Sequence, residues 1–69
     1  MSHSITVYIN QVSYTLPHSA NLQNAIEASG VKPPFAAAIN LQFVPRSDYA
    51  QQALADQDQI ELISPITGG

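Results

Sequence analysis

Cysteine is absent from the 69 residues, and basic side chains are scarce. The lack of cysteine excludes disulfides, thiol catalysis and cysteine metal sites, and it fits a reducing compartment such as the cytoplasm. Lys32 and Arg46 are the only cations beside five acids, so no basic surface can neutralise several phosphates of a nucleic acid. We therefore do not expect nucleic acid as a partner.

Long apolar runs are also missing. No stretch approaches the roughly 20 apolar residues of a membrane span, and residues 1–4 lack the basic and apolar regions of a secretion signal. We expect a soluble, cytoplasmic protein that does not insert into a membrane. Because a core of this size only just offsets chain entropy, we also expect one small domain.

Glycine occurs three times, and two of the three are Gly68 and Gly69 at the end of the sequence. Without Cβ atoms, this pair is slim enough to enter a narrow channel and bring a terminal carboxylate to another enzyme's reactive centre. The pair also fits a frayed terminus without function. We predict a single domain over residues 1–64 and a flexible C-terminal tail over residues 65–69.

The first half of the chain predicts a β-hairpin followed by a helix. Apolar and polar residues alternate over 5–9 and 12–16, and Asn10-Gln11 between them predicts a tight turn whose type stays open. Asn21 is a suitable helix cap, and Gly30 is suited to the residue that ends the helix. Because such a short helix is marginal alone, its apolar stripe, which contains Leu22, Ala25 and Ile26, must pack on the sheet.

The second half predicts three more strands and a short second helix. An apolar run at 35–39 and residues 42–44 indicate two strands around a bend at Asn40-Leu41, with Pro45 confining the second strand to an edge. Ser47 or Asp48 could cap one or two helical turns extending through Leu54, and residues 60–63 predict the last strand. This order predicts an α+β fold of the β-grasp (ubiquitin-like) type, with a mixed sheet of about four or five strands and one main helix on one face.

The titratable side chains do not suggest an enzyme or a metal site. His3 and His18 have no third ligand at a metal-like spacing. Asp56 and Asp58 lie in a polar turn instead of an apolar pocket that would raise the pKa of one of them, and turn formation explains both. The sequence contains no phosphate-binding glycine loop and no catalytic triad signature.

The remaining candidate group is the terminal carboxylate. Another enzyme can activate this poor electrophile by attaching AMP from ATP, and a sulfur nucleophile can then displace AMP to leave a thiocarboxylate. Gly69 would supply the acyl group and Gly68 the slim approach. Ile66 and Thr67 would extend the reach of the tail, either as a strand added to the partner or as a peptide laid along it.

Three blocks of the sequence resemble the sulfur-carrier (ThiS) family of thiamin biosynthesis. They are residues 38–46, residues 54–62 and the closing Gly68-Gly69. The resemblance implies a β-grasp carrier that is not itself an enzyme. Its Gly69 would be adenylated by an E1-like enzyme that uses ATP and Mg²⁺, converted to a thiocarboxylate with sulfur from a donor such as a cysteine desulfurase, and used by thiazole synthase.

Two features depart from this family. Gln57 stands where the family usually has glycine between two aspartates, which concerns the geometry of the turn and not the chemistry. The residues at 64–67 are more similar to the end of the small subunit of molybdopterin synthase, a related carrier. A molybdopterin carrier, a ubiquitin-like protein modifier and an inert β-grasp interaction module therefore remain alternatives, and the shared fold does not separate them.

Four side chains are candidates for a surface that binds the partner near the tail: Phe43, Tyr49 and Ile63, with Arg46 beside them. The three large apolar residues are also candidates for the core, where such residues usually lie. Burial in the folded protein distinguishes these two interpretations.

Overall fold

The structure is a computed structural model, and it describes residues 3–65. This part of the chain contains five strands and one α-helix. In chain order they are β1 (Ser4–Ile9), β2 (Val12–Pro17), α1 (Leu22–Ser29), β3 (Ala36–Ile39), β4 (Gln42–Val44) and β5 (Gln59–Ile63). A 3₁₀ turn at Arg46–Asp48 follows β4. The expected number and type of the main elements are therefore confirmed.

The five strands form one mixed sheet in the order β2-β1-β5-β3-β4. β1 is antiparallel to β2 and parallel to β5, whereas β3 is antiparallel to both β5 and β4. β4 lies at an edge, as Pro45 predicts, since proline cannot donate to a ladder. β5, the last strand in sequence, lies at the centre.

The core lies between one face of the sheet and α1. Alternation places Ile5, Val7 and Ile9 of β1 on this face, because successive side chains of a strand point to opposite sides. Their partners across the core include Leu22 and Ile26 of α1. The buried core residues are Ile5, Val7, Ile9, Ala20, Leu22, Ala25, Ile26, Ala37, Ile39, Val44, Tyr49, Leu54, Ile60 and Leu62.

The ends of α1 match the signals in the sequence. The Asn24 amide donates to Asn21 Oδ1 (2.8 Å), and the Asn21 amide donates to Asn24 Oδ1 (2.9 Å), which satisfies two donors that a helix start would otherwise leave free. Gly30 has a φ of 74° and ends the helix in the left-handed region. Both predicted caps are confirmed.

The two hairpin turns share one geometry. Asn10 and Gln11 have φ angles of 51° and 71°, and Asn40 and Leu41 have 49° and 71°. Two successive residues with positive φ define the type I′ turn, whose twist matches the flanking strands. The structure thus settles the turn type that the sequence left open.

The second helix extends less far than the sequence predicts. Ser47 and Asp48 lie within the 3₁₀ turn at Arg46–Asp48 and do not cap it, because Pro45 precedes the turn and no side chain caps it. The predicted cap and the extension through Leu54 are therefore both wrong. The Gln52 carbonyl accepts a hydrogen bond from the Leu22 amide (2.8 Å), and the Leu54 amide donates to the Ala20 carbonyl (3.2 Å). These long-range bonds outweigh a local preference for helix, which is weak for so few residues.

Candidate functional site around strand 5

The predicted tail residues, Ile66, Thr67, Gly68 and Gly69, lie outside the described residues. The division of the chain into residues 1–64 and 65–69 stays a prediction for the same reason. The structure does describe the strand that leads to them. β5 ends at Ile63, and the exposed residues Ser64 and Pro65 follow it.

β5 is held from one side by the hairpin residue Asn10. The Leu62 amide donates to Asn10 Oδ1 (3.0 Å), and Asn10 Nδ2 donates to the Leu62 carbonyl (3.2 Å). The Asn10 amide also donates to the Ile60 carbonyl (2.9 Å). The asparagine side chain therefore continues the parallel β1–β5 ladder by one further pair, close to the end of β5.

Asn40 of the other hairpin holds the beginning of β5 from the opposite side. The Gln59 amide donates to Asn40 Oδ1 (3.0 Å), and the Asn40 amide donates to the Gln59 carbonyl (2.7 Å). Asn40 Nδ2 donates to Asp58 Oδ1 (3.0 Å). The two asparagines, each in a left-handed conformation that this residue tolerates, fix both ends of the central strand.

The acidic turn before β5 has a structural role. Asp56 Oδ1 accepts from the Thr6 amide (2.8 Å), and Asp58 Oδ2 accepts from the Ala55 amide (2.8 Å). Gln57 has a φ of 73°, and its amide donates to the Thr6 carbonyl (2.6 Å). The carboxylates thus serve turn formation, as the sequence suggests, and the family's glycine corresponds here to a strained glutamine.

An exposed apolar surface lies on the sheet face opposite α1. Phe43 is 69% exposed and Ile63 is 57% exposed. Phe43 pairs with Ala38 across β4 and β3, and Ile63 pairs with Ala36 across β5 and β3. Because directly paired side chains share a face, these four residues, Ala36, Ala38, Phe43 and Ile63, form one surface, which we call the outer patch. The exposed Glu61 pairs with Ala38 across β5 and β3 and lies on the same face.

The four predicted partner residues therefore separate into different places. Phe43 and Ile63 lie on the outer patch, and their exposure contradicts a core position for either residue. Tyr49 is only 7% exposed and stacks on Phe35 at a centroid distance of 6.0 Å, so it belongs to the core and not to an exposed patch. Arg46 is exposed in the 3₁₀ turn, where it lines a cleft together with Lys32.

Sequence reasoning missed Ala36 and Ala38 as members of the outer patch. In the structure, the exposed Ala36 and the half-buried Ala38 alternate with the buried Ala37 and Ile39. A run of small apolar residues hides this alternation from a reading based on hydrophobicity alone. The pairing of the strands is what identifies the face.

The two histidines do not form a further site in the described part of the chain. His18 Nδ1 lies 3.2 Å from the His3 carbonyl oxygen, and the two rings lie 5.6 Å apart. Within residues 3–65 no group of three or more metal-ligating side chains is present. In the same part of the chain, no helix is long and apolar enough to cross a membrane.

The arrangement of a hairpin, a helix on one face and a central last strand defines a ubiquitin-like β-grasp protein. A solved structure with the same fold is that of the thiamine biosynthesis protein (ThiS) from Geobacter metallireducens. The two chains superpose with a TM-score of 0.77 and 19% identity, and the alignment covers 94% of this chain and 100% of that one. No curated protein sequence matches.

The sequence model of the ThiS family matches residues 5–69, and the chain belongs to this family. The resemblance seen in the sequence is thus confirmed. Membership in the ThiS family supports a sulfur-carrier role in thiamine biosynthesis. Proteins of this type are small carriers and are generally not enzymes themselves.

Proposed function

We propose that Gly69 is the residue that carries sulfur. An E1-like enzyme joins the Gly69 carboxylate to the α-phosphorus of ATP and releases pyrophosphate. The persulfide of a donor such as a cysteine desulfurase then attacks the acyl carbon and displaces AMP, and a thiol reductant cleaves the resulting acyl disulfide to leave the thiocarboxylate. Thiazole synthase takes the sulfur from this thiocarboxylate while an oxygen atom of its substrate or of water replaces it, so the carboxylate is regenerated for another cycle.

The observation that carries this proposal is the extent of the family match, which runs through residue 69 and therefore includes Gly68 and Gly69. The groups that activate the carboxylate, together with ATP and Mg²⁺, belong in this proposal to the partner enzyme, as the resemblance to the ThiS family implies.

The outer patch supports a docking role for the sheet face next to β5. Phe43 and Ile63 leave large apolar side chains in water, and a partner that covers them gains the transfer free energy of that area. Ile63 is also the last residue of β5, so a protein bound to the patch lies beside the beginning of the segment that it must handle. Arg46 and Tyr49 have no place on this patch.

The test combines intact-mass measurement with one substitution. Protein isolated from cells should include a species about 16 mass units heavier, which is the exchange of one oxygen for sulfur. Gly68→Val should fold normally but lose adenylation, because a branched side chain does not pass a narrow channel. Thr15→Val is the control, since it places the same branched side chain at an exposed position of β2 outside the tail, and it should retain adenylation.

Two results would count against the proposal. One is pyrophosphate release by Gly68→Val at the rate of the unchanged protein. The other is a native polypeptide that extends beyond residue 69 and is never trimmed, because Gly69 would then have no free carboxylate. Stable high-mass conjugates through lysine side chains would instead favour a ubiquitin-like modifier.

A molybdopterin carrier remains the second candidate because of residues 64–67, which are similar to the end of that family's small subunit. The two carriers differ in the synthase that consumes the thiocarboxylate. Single-turnover reactions with thiazole synthase and with the large subunit of molybdopterin synthase therefore separate them. The thiamin carrier should lose its sulfur only to thiazole synthase.

A further inference from the structure

A cleft of about 540 Å³ lies between the end of α1, the loop at 31–35 and the 3₁₀ turn. Neither the fold nor the proposed sulfur chemistry requires it. Its volume is within the range of about 300–1,000 Å³ that is typical of binding sites. Lys32 and Arg46 contribute the positive charge of the cleft, and Pro33, Pro34, Phe35 and Tyr49 contribute much of its apolar lining.

The charge of the cleft is unusual for this protein. Lys32 and Arg46 are the only two cations of a chain with a net charge of −3, and both line this one cleft. Within residues 3–65, neither side chain has an ion-pair or hydrogen-bond partner. Glu27 is the one acid among the lining residues, so the cleft is a positive site on an acidic protein.

The apolar part of the cleft is rigid. Phe35 stacks on Tyr49 with an angle of 10° between the ring planes, and Tyr49 is held in the core. Pro33 and Pro34 are both exposed at the rim. Proline rings restrict the backbone, so a ligand that packs on them orders little new structure when it binds.

The cleft also lies at the end of the sheet from which the chain continues toward Gly68 and Gly69. Ile63, the last residue of β5, pairs with Ala36, which directly follows Phe35 in the sequence. A protein that handles the residues after β5 therefore approaches the 31–35 loop. The outer patch and the cleft lie on opposite faces of the sheet at this end. Residues of α1 line the cleft, whereas the patch is on the face that points away from α1.

We infer that the cleft binds an extended acidic segment of the partner that receives the Gly-Gly end, with a carboxylate side chain near Lys32 and Arg46 and a proline or aromatic ring on Phe35. The identity of the partner rests on the proposed function. The acidic and apolar character of the ligand rests only on the residues that line the cleft. The exposed rim favours a peptide over a small molecule, since Lys32, Pro33 and Pro34 would leave much of a small ligand uncovered.

The experiment is an NMR titration of the full chain, labelled with ¹⁵N, with two short peptides. The probe is acetyl-Glu-Pro-Phe-Glu-amide, and its uncharged counterpart has glutamine at both glutamate positions. The acidic peptide should shift the amide signals of Val31, Phe35 and Tyr49. It should bind about fivefold more tightly than the counterpart, and the difference should shrink with added salt.

Two double variants test the role of the cations. Lys32→Gln with Arg46→Gln should weaken binding of the acidic peptide about tenfold, since each exposed charge contributes modestly. Thr15→Glu with Gln42→Glu changes the net charge by the same amount at exposed positions of β2 and β4 that do not line the cleft. This control should bind the acidic peptide within about twofold of the unchanged protein, because both positions lie toward the end of the sheet where β5 begins and their charges are screened.

Equal binding of both peptides, no shifts at the cleft, or equal losses in both double variants would overturn the inference. Equal affinity for N-acetylglutamate alone would replace it with a small-anion site. Gly68→Val separates this result from the proposed function, because it should lose adenylation and keep peptide binding. A protein that is never adenylated yet selects the acidic peptide refutes the sulfur chemistry and leaves the cleft assignment intact.

Discussion

At the scale of single residues, the backbone has five described residues other than glycine with positive φ: Asn10, Gln11, Asn40, Leu41 and Gln57. The left-handed region costs an L-residue roughly 1–2 kcal/mol, and asparagine pays least of the ordinary residues. The two asparagines recover part of this cost through hydrogen bonds to β5. Gln57 has no such bond to β5 from its side chain.

Gln57→Gly should therefore stabilise the fold. Removing the side chain relieves the left-handed strain at a φ of 73°, and the greater freedom of glycine in the unfolded chain offsets part of the gain. We expect an increase of about 0.5–1 kcal/mol in the free energy of unfolding. Urea denaturation should show a higher midpoint with an unchanged m-value.

Gln51→Gly is the matched control. Gln51 is exposed in the same part of the chain, and its φ is not positive. Glycine there gains freedom in the unfolded state without relieving strain, so this variant should be less stable than the unchanged protein. Equal shifts in both variants would show that strain at Gln57 is not the cause.

At the scale of secondary-structure elements, the central strand depends on side chains from the two hairpin turns. Asn10→Ala removes both bonds to Leu62, whose amide lies in a partly buried environment. Leaving such a donor without a partner costs about 1–3 kcal/mol, so we expect a loss of about 2 kcal/mol in the free energy of unfolding. Thermal and urea denaturation measure this loss.

The comparison variants for this prediction are Asn10→Asp and Gln11→Ala. Aspartate keeps the acceptor for the Leu62 amide but turns a carboxylate oxygen toward the Leu62 carbonyl in place of a donor, so Asn10→Asp should also destabilise the fold. Gln11→Ala changes the other residue of the same turn, which also has positive φ, without touching β5. An Asn10→Ala loss no larger than that of Gln11→Ala would mean that the turn conformation and not the strand contact is responsible.

The elements also show which structure could be predicted from the sequence. α1 was predictable because its signals are local: a capping asparagine, an apolar stripe and a terminal glycine within ten residues. The segment after the 3₁₀ turn was not, because its conformation is set by bonds from Leu22 and to Ala20, about thirty residues away. Local propensity contains no information about such partners.

Some residues of the functional surfaces could also be predicted from the sequence, and others could not. Gly68 and Gly69 could be proposed because the pair is visible in the sequence, and Phe43 and Ile63 because large apolar residues are candidates for binding. Tyr49 is also a large apolar residue, and the sequence alone does not show that it is buried and stacked on Phe35. The cleft was missed because Lys32 and Arg46 are far apart in the sequence and meet only after α1 packs on the sheet.

At the scale of the whole molecule, the outer patch should affect binding without affecting folding. Phe43→Ser removes a side chain that is 69% exposed, so stability should change by less than about 1 kcal/mol. If the patch docks the adenylating enzyme, the concentration for half-maximal pyrophosphate release should rise about tenfold, since a buried aromatic ring contributes roughly 1.5–3 kcal/mol. Coupled pyrophosphate assays measure this.

Val12→Ser is the control for the patch. Val12 is 56% exposed and belongs to β2, at the sheet edge farthest from β4. The substitution has the same β-propensity cost, yet adenylation should keep its normal concentration dependence. Equal weakening by both substitutions would indicate a general effect of altered sheets instead of contact at the patch.

The strand order has a consequence for how the protein is made. All four other strands leave the ribosome before β5, which must insert between β1 and β3. Until β5 is synthesised, no strand joins the β1–β2 hairpin to the β3–β4 hairpin, and an isolated two-stranded hairpin is at best marginally stable in water. The final fold therefore forms only after synthesis passes β5, and an interrupted translation product that lacks this strand cannot compete with finished carriers for the enzyme.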